Sequence, residues 1–84
     1  MVNIQTIVTK YRTERSLTLN AFAEAIDVTH PTIRNWEIGA TKPDKYFLLA
    51  LTMRYSDWRR DFALECIQAS YPAYLEAAEM QKVI

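Results

Sequence analysis

Apolar residues recur along this chain at helical spacing, in stripes separated by short polar breaks. Ile4, Ile7, Val8 and Tyr11 follow i, i+3, i+4 and i+7, which predicts a first helix over residues 2–14. Phe22, Ala23 and Ile26 make a second stripe, for a helix over 19–26 that Thr18 can cap. Asp27 and Val28 break the pattern. Thr29 is then a suitable cap for a third helix over 30–38, and Pro31 falls in its first turn, where a missing N–H costs nothing. Ile33 and Trp36 lie three apart on its inward face, leaving His30, Thr32, Arg34 and Asn35 to point elsewhere. Gly39, the single glycine of the chain, follows where a helix C-terminus calls for a left-handed residue. Pro43 and Asp44 open a fourth helix running to about Arg54, which buries Phe47, Leu48 and Leu51. Ser56 caps a fifth over about 56–70, with Asp57 in its first turn. Trp58, Phe62, Cys66 and Ala69 space along one side of it, and Ile67 sits beside them. Tyr71-Pro72 ends that helix, because the residue before proline is biased away from the αR region. Pro72 can start a sixth helix over about 72–82, carrying Tyr74, Leu75, Ala78 and Met80.

The second and third helices with their tight connection, residues 18–39, have the spacing of a DNA-binding helix-turn-helix. This stretch resembles the Cro/C1-type (XRE-type) helix-turn-helix domain of phage repressors and bacterial regulators. The matching positions are Phe22-Ala23, Ile26, Val28-Thr29 and Thr32-Ile33, then Trp36-Glu37-Ile38-Gly39 followed by Lys42-Pro43. The resemblance runs from about Tyr11 to about Arg54. It implies an all-α fold: a five-helix, lambda-repressor-like DNA-binding domain, here with an added C-terminal helix.

Composition agrees with a helical chain and narrows its chemistry. Eighty-four residues, half of them hydrophobic, suit one small domain over 1–84 with one core. One glycine and three prolines leave few helix breakers. Cys66, the single cysteine, has no disulfide partner and is expected to pack as a small apolar side chain. No metal ligand set and no cofactor are expected. No apolar run approaches the roughly 18 residues of a membrane span, and the polar N-terminus does not read as a signal peptide. A soluble, cytoplasmic protein is the expectation, with no membrane partner and no small-molecule ligand evident.

Charge pulls the other way. Ten cationic and ten anionic residues give a formal net charge of zero, whereas phosphate binding usually leaves a basic surplus. A DNA surface must then rest on few cations, backbone amides and helix N-termini. Carried over from the resembling family, the base-reading positions are His30, Pro31, Thr32 and Asn35. Asn35 can read adenine bidentately, and Thr32 offers a hydroxyl and a methyl. Arg34 can reach guanine or a phosphate, or instead bridge to Glu24 or Asp27. The implied phosphate contacts are Thr18, Thr29, Thr41 and Lys42, with backbone amides near Asn20 and Gly39. Three positions depart from the family: Leu19 stands where glutamine is common, Asp27 where glycine is usual, and Pro31 where a long polar side chain is expected. The resemblance also pairs Arg12 with Glu37, as a partly buried ion pair or as two solvated charges.

Trp36 and Trp58 lie on inward stripes, so core packing takes precedence over a stacking platform for single strands. One histidine, one cysteine and no carboxylate cluster tied to them leave no catalytic set, so an enzyme is not expected. The leading expectation is a sequence-specific double-stranded DNA binder acting as a small phage- or plasmid-type repressor. It would work as a homodimer through the C-terminal helices, placing helix 30–38 in the major groove. The alternative is a protein-interaction module or antitoxin on the same fold, favoured by the neutral charge, Leu19 and Pro31.

Overall fold

The described residues form five α-helices, and all but the third are opened by a residue whose short polar side chain accepts a backbone amide of the first turn. They are α1 (Ile4–Glu14), α2 (Leu19–Ala25), α3 (His30–Glu37), α4 (Lys45–Arg54) and α5 (Trp58–Ser70), in a computed structural model that describes residues 3–73. There is no strand among these residues. Asn3 accepts from the Thr6 amide at 2.9 Å, and Thr18 accepts from the Ala21 amide at 3.1 Å. Asp44 takes two amides at the start of α4, those of Tyr46 and Phe47. Each such cap stabilises its helix by about 1 kcal/mol.

The ends of α1, α2 and α3 share one hydrogen-bonded clasp, the Schellman arrangement that satisfies orphan carbonyls. In α1, Ser16 N–H bonds the Thr13 carbonyl and Leu17 N–H bonds the Arg12 carbonyl, both at 3.0 Å. In α2, Asp27 bonds Glu24 and Val28 bonds Ala23, at 3.3 and 2.9 Å. In α3, Gly39 bonds Trp36 and Ala40 bonds Asn35, at 3.3 and 2.9 Å. The clasp requires a left-handed residue, and φ is 54° at Ser16, 61° at Asp27 and 80° at Gly39. Glycine adopts that conformation freely, whereas serine and aspartate carry a β-carbon into it.

Helix α1 packs on α3 and α5, α2 on α3, and α4 on α5. The core they enclose contains Ile7, Val8, Phe22, Ile26, Ile33, Leu48, Leu51, Phe62 and Ile67, each about fully buried. Phe62 is its aromatic hub, meeting Phe22 edge-on at 5.4 Å and Tyr11 edge-on at 5.6 Å between ring centroids. Such pairs add about 0.5–1.5 kcal/mol beyond burial itself. Trp36 is buried against Phe47, and Trp58 lies half-buried beside Phe22.

Several local expectations change. Asp57, not Ser56, caps α5, accepting from the Arg59 amide at 3.0 Å, so Asp57 stands outside the first turn. Pro43 is buried in the connection ahead of α4, and Asp44 is the cap. The inward face of α5 is Phe62, Ala63, Cys66 and Ile67, while Ala69 is exposed. Thr29 occupies the extended cap position of α3 but makes no capping bond; its hydroxyl lies 2.7 Å from that of Thr32. The expected helix over 72–82 falls, beyond Ala73, outside the described residues.

Candidate nucleic-acid interface

Burial divides α3 lengthwise. Ile33 and Trp36 face the core, while His30, Pro31 and Arg34 are exposed and Thr32 and Asn35 are half-exposed. Arg34 forms no bridge to Glu24 or Asp27; the ion pairs among the described residues involve other cations. The side chains of His30, Arg34 and Asn35 have no hydrogen bond to the described protein. Asn35 takes part in the α3 clasp through its backbone carbonyl alone. A row of donors and acceptors is thus left unspent along one helix face.

The remaining sequence-derived positions sit at the starts of α2 and α3 and in the loop after α3. Thr18 and exposed Asn20 are at the start of α2, with Thr18 occupied as a cap. Thr29 is at the start of α3, tied to Thr32. Gly39, Thr41 and Lys42 form the exposed loop after α3. The Lys42 ammonium lies 4.8 Å over the Tyr71 ring, and the Tyr71 hydroxyl donates to the Pro43 carbonyl at 2.9 Å. This places a cation on a loop tied to the end of α5. A β-carbon at Gly39 would run into the Gln5 side-chain amide. Leu19 is half-buried against the core, a packing residue.

Arg12 and Glu37 tie the far end of α3 to α1. Two parallel hydrogen bonds join them, Nε to Oε2 at 2.8 Å and Nη2 to Oε1 at 3.0 Å. Arg12 also donates to the Leu17 carbonyl at 3.2 Å, and Thr9 donates to Glu37 at 3.2 Å. The hydrogen bonds to Glu37 raise the Arg12 pKa above the ordinary guanidinium value, so the guanidinium stays charged. The fork geometry fixes the angle of approach as well as the distance.

One anchor has no counterpart in the sequence reading. Arg59, in the first turn of α5, donates to the Ala25 carbonyl at 3.1 Å, the last carbonyl of α2. Its other nitrogens hold Asp57, and its guanidinium lies 3.7 Å over the Tyr55 ring. The bonds from Arg59 hold the Asp57 carboxyl below its usual pKa. Its partner is a backbone carbonyl 34 residues away, which no side-chain pattern marks. The nearest signal was the Tyr55–Asp57–Arg59 alternation of aromatic, acid and base.

Among the described residues no group of three His, Cys, Asp or Glu side chains is placed to hold a metal ion, and no helix is long and apolar enough to cross a membrane. Cys66 is fully buried, and burial pushes its thiol pKa well above the ordinary range. It is a packing residue.

A helix-turn-helix family model matches residues 8–54, which begins inside α1, takes in Arg12 and the whole of α2 and α3, and ends with α4. No curated protein and no solved structure matches the chain. The match covers more than half of the chain and contains α3, whose outward polar face and inward apolar face have just been described. The chain belongs to the Cro/C1-type helix-turn-helix family, a family of DNA-binding domains.

Proposed function

We propose that this chain is a sequence-specific transcriptional repressor that binds double-stranded DNA as a homodimer, with α3 in the major groove. The observation that carries the reading is the division of α3. Its inward side chains are buried, while those of His30, Arg34 and Asn35 are exposed or half-exposed and hydrogen-bonded to nothing else in the described protein. Asn35 would read adenine, and Arg34 guanine or a phosphate. His30, Thr32 and Pro31 would supply a ring nitrogen, a hydroxyl with a methyl, and an apolar contact. Thr18, Asn20, Thr29, Gly39, Thr41 and Lys42 would hold the backbone on either side, which positions α3 without reading sequence. One helix spans too few base pairs for genomic selectivity. Two copies on half-sites about 34 Å apart supply the rest. The C-terminal helices, α5 and the segment after it, are the proposed dimer contact.

Repression follows from occupancy: a bound dimer blocks polymerase or a competing regulator. Zero net charge implies modest non-specific affinity and a shallow salt dependence. Selection of bound sequences from random duplex DNA tests the proposal, followed by fluorescence anisotropy on the enriched site. A two-fold repeated consensus is expected. Absence of any duplex binding at micromolar protein and low salt would overturn it and leave the protein-interaction reading, which the neutral charge favours.

A further inference from the structure

Helix α4 is apolar on the wrong side. Its inward residues Leu48 and Leu51 are buried, yet its outward residues are Tyr46, Ala50 and Met53, with Leu49 half-buried beside them. Tyr46 is 65% exposed and Met53 is 82% exposed. Single exposed hydrophobics are ordinary, but positions i, i+3, i+4 and i+7 form one continuous stripe. A helix that is apolar all round is normally covered on both sides. Among the described residues nothing covers this one.

The rim of the stripe is cationic. Lys42 and Lys45 flank its start on either side of the capping Asp44, and Arg54 stands at its end, so the rim keeps a net positive charge and α4 itself contains no acidic residue. A second copy of α4 laid against it would set like charges together at the ends. The complementary occupant has apolar residues at helical spacing with carboxylates between them. Residues 74–84 of this chain, YLEAAEMQKVI, have that composition: Tyr74, Leu75 and Ala78 alternate with Glu76 and Glu79.

The chain also leaves the described fold at the right place. Tyr71 is bonded to Pro43 and lies under Lys42, so the end of α5 sits beside the start of α4. From there a segment running along α4 need cover only ten residues, about 15 Å at helical rise, and eleven residues follow Ala73. Tethering this close gives a high effective concentration, which favours the chain's own segment over a partner's. We infer that residues 74–84 dock along the outer face of α4 in the same chain, with Leu75 against Tyr46, Ala78 near Ala50, and Glu76 facing Lys45, which leaves α5 and the outer side of the docked segment for the proposed dimer contact.

The test keeps the full chain. Ala50→Cys with Ala78→Cys is oxidised under native conditions and separated without reductant; native Cys66 is buried and does not compete. An intrachain disulfide in most molecules is expected. Thermal melts of Tyr46→Ala, Leu75→Ala and the double variant give an independent reading. Each single variant should lower Tm by about 4–8 °C, and the double variant by clearly less than the two together. A disulfide that forms only between chains, no disulfide at all, or additive Tm changes would each overturn the inference.

Discussion

Replacing Glu37 by Gln is the sharpest probe of how α3 is held. The substitution keeps shape and volume but removes the charge and turns one acceptor oxygen into a donor. Arg12 is then left facing an amide NH2 where it had a carboxylate oxygen, with Leu17 as its remaining unaltered partner. Stranding one member of a fully buried ion pair costs about 3–5 kcal/mol, and an exposed pair contributes only about 0–1 kcal/mol. The side chains are 24% and 15% exposed, so the geometry lies between these limits and solvent screens part of the interaction. A loss of about 2 kcal/mol follows, which lowers Tm by about 8–16 °C in a chain this small. Urea denaturation should show a lower midpoint at unchanged slope. Arg12→Met destabilises similarly, while Arg12→Met with Glu37→Leu should recover much of the loss because no charge is stranded. The cycle made of Arg12→Met, Glu37→Leu and their double variant isolates the coupling, expected above about 1 kcal/mol. A coupling energy below about 0.5 kcal/mol would refute the argument and reduce the pair to two solvated charges.

Other perturbations address the turns, the core and the interface. Ser16→Gly and Asp27→Gly relieve a left-handed β-carbon at the cost of chain entropy, so each should raise stability by up to about 1 kcal/mol; a lower Tm for either would contradict the clasp. Cys66 should resist thiol reagents in the native protein and react on unfolding. Its folded pKa is raised by burial, so its contribution is fully present below the unfolded thiol pKa of about 8.5 and is lost as pH rises beyond it. A Cys66→Ala chain should show a weaker alkaline loss of stability, and an identical profile would argue against that assignment. Asn35→Ala should relax preference at one base position, whereas Lys42→Ala should weaken binding to all duplexes alike and reduce the salt slope by about one; two mutants that behave identically would remove both roles. Arg59→Lys keeps the charge but loses the fork that spans Asp57 and Ala25. It should lower specific DNA affinity more than non-specific affinity, a ratio that plain destabilisation leaves unmoved.

The helices were legible because their signals are local. The stripe Ile4, Ile7, Val8, Tyr11 and the pair Ile33, Trp36 each sit within two turns of one helix, and all six are buried. Thr18 and Gly39 likewise act within a few residues of where they stand. The misplaced details depend on distant partners. Ser56 and Asp57 are both good caps, and the choice falls on Asp57, whose carboxylate is also held by Arg59, itself anchored to Ala25 on another helix. Ala69 continues the Trp58–Phe62–Cys66 spacing, yet the packed face of α5 drifts toward Ala63 and Ile67 as it meets α4 and α1. Ser16 was silent because glycine and asparagine are the usual markers of a left-handed cap. At the interface the motif pointed to the exposed row of α3, while Thr9, which donates to Glu37 at the end of α3, and Arg59, which holds the end of α2, carry no motif.

The division of labour along α3 has an evolutionary consequence. The helix is fixed in place by its backbone, as in its clasp, by the hydroxyl contact of Thr32 with Thr29, and by Ile33, Trp36 and Glu37. His30, Pro31, Arg34 and Asn35 contribute no side-chain bond to that frame. Selection can therefore exchange these four residues one at a time with little loss of folding stability. A descendant of this chain can drift to a new operator before its scaffold records any change.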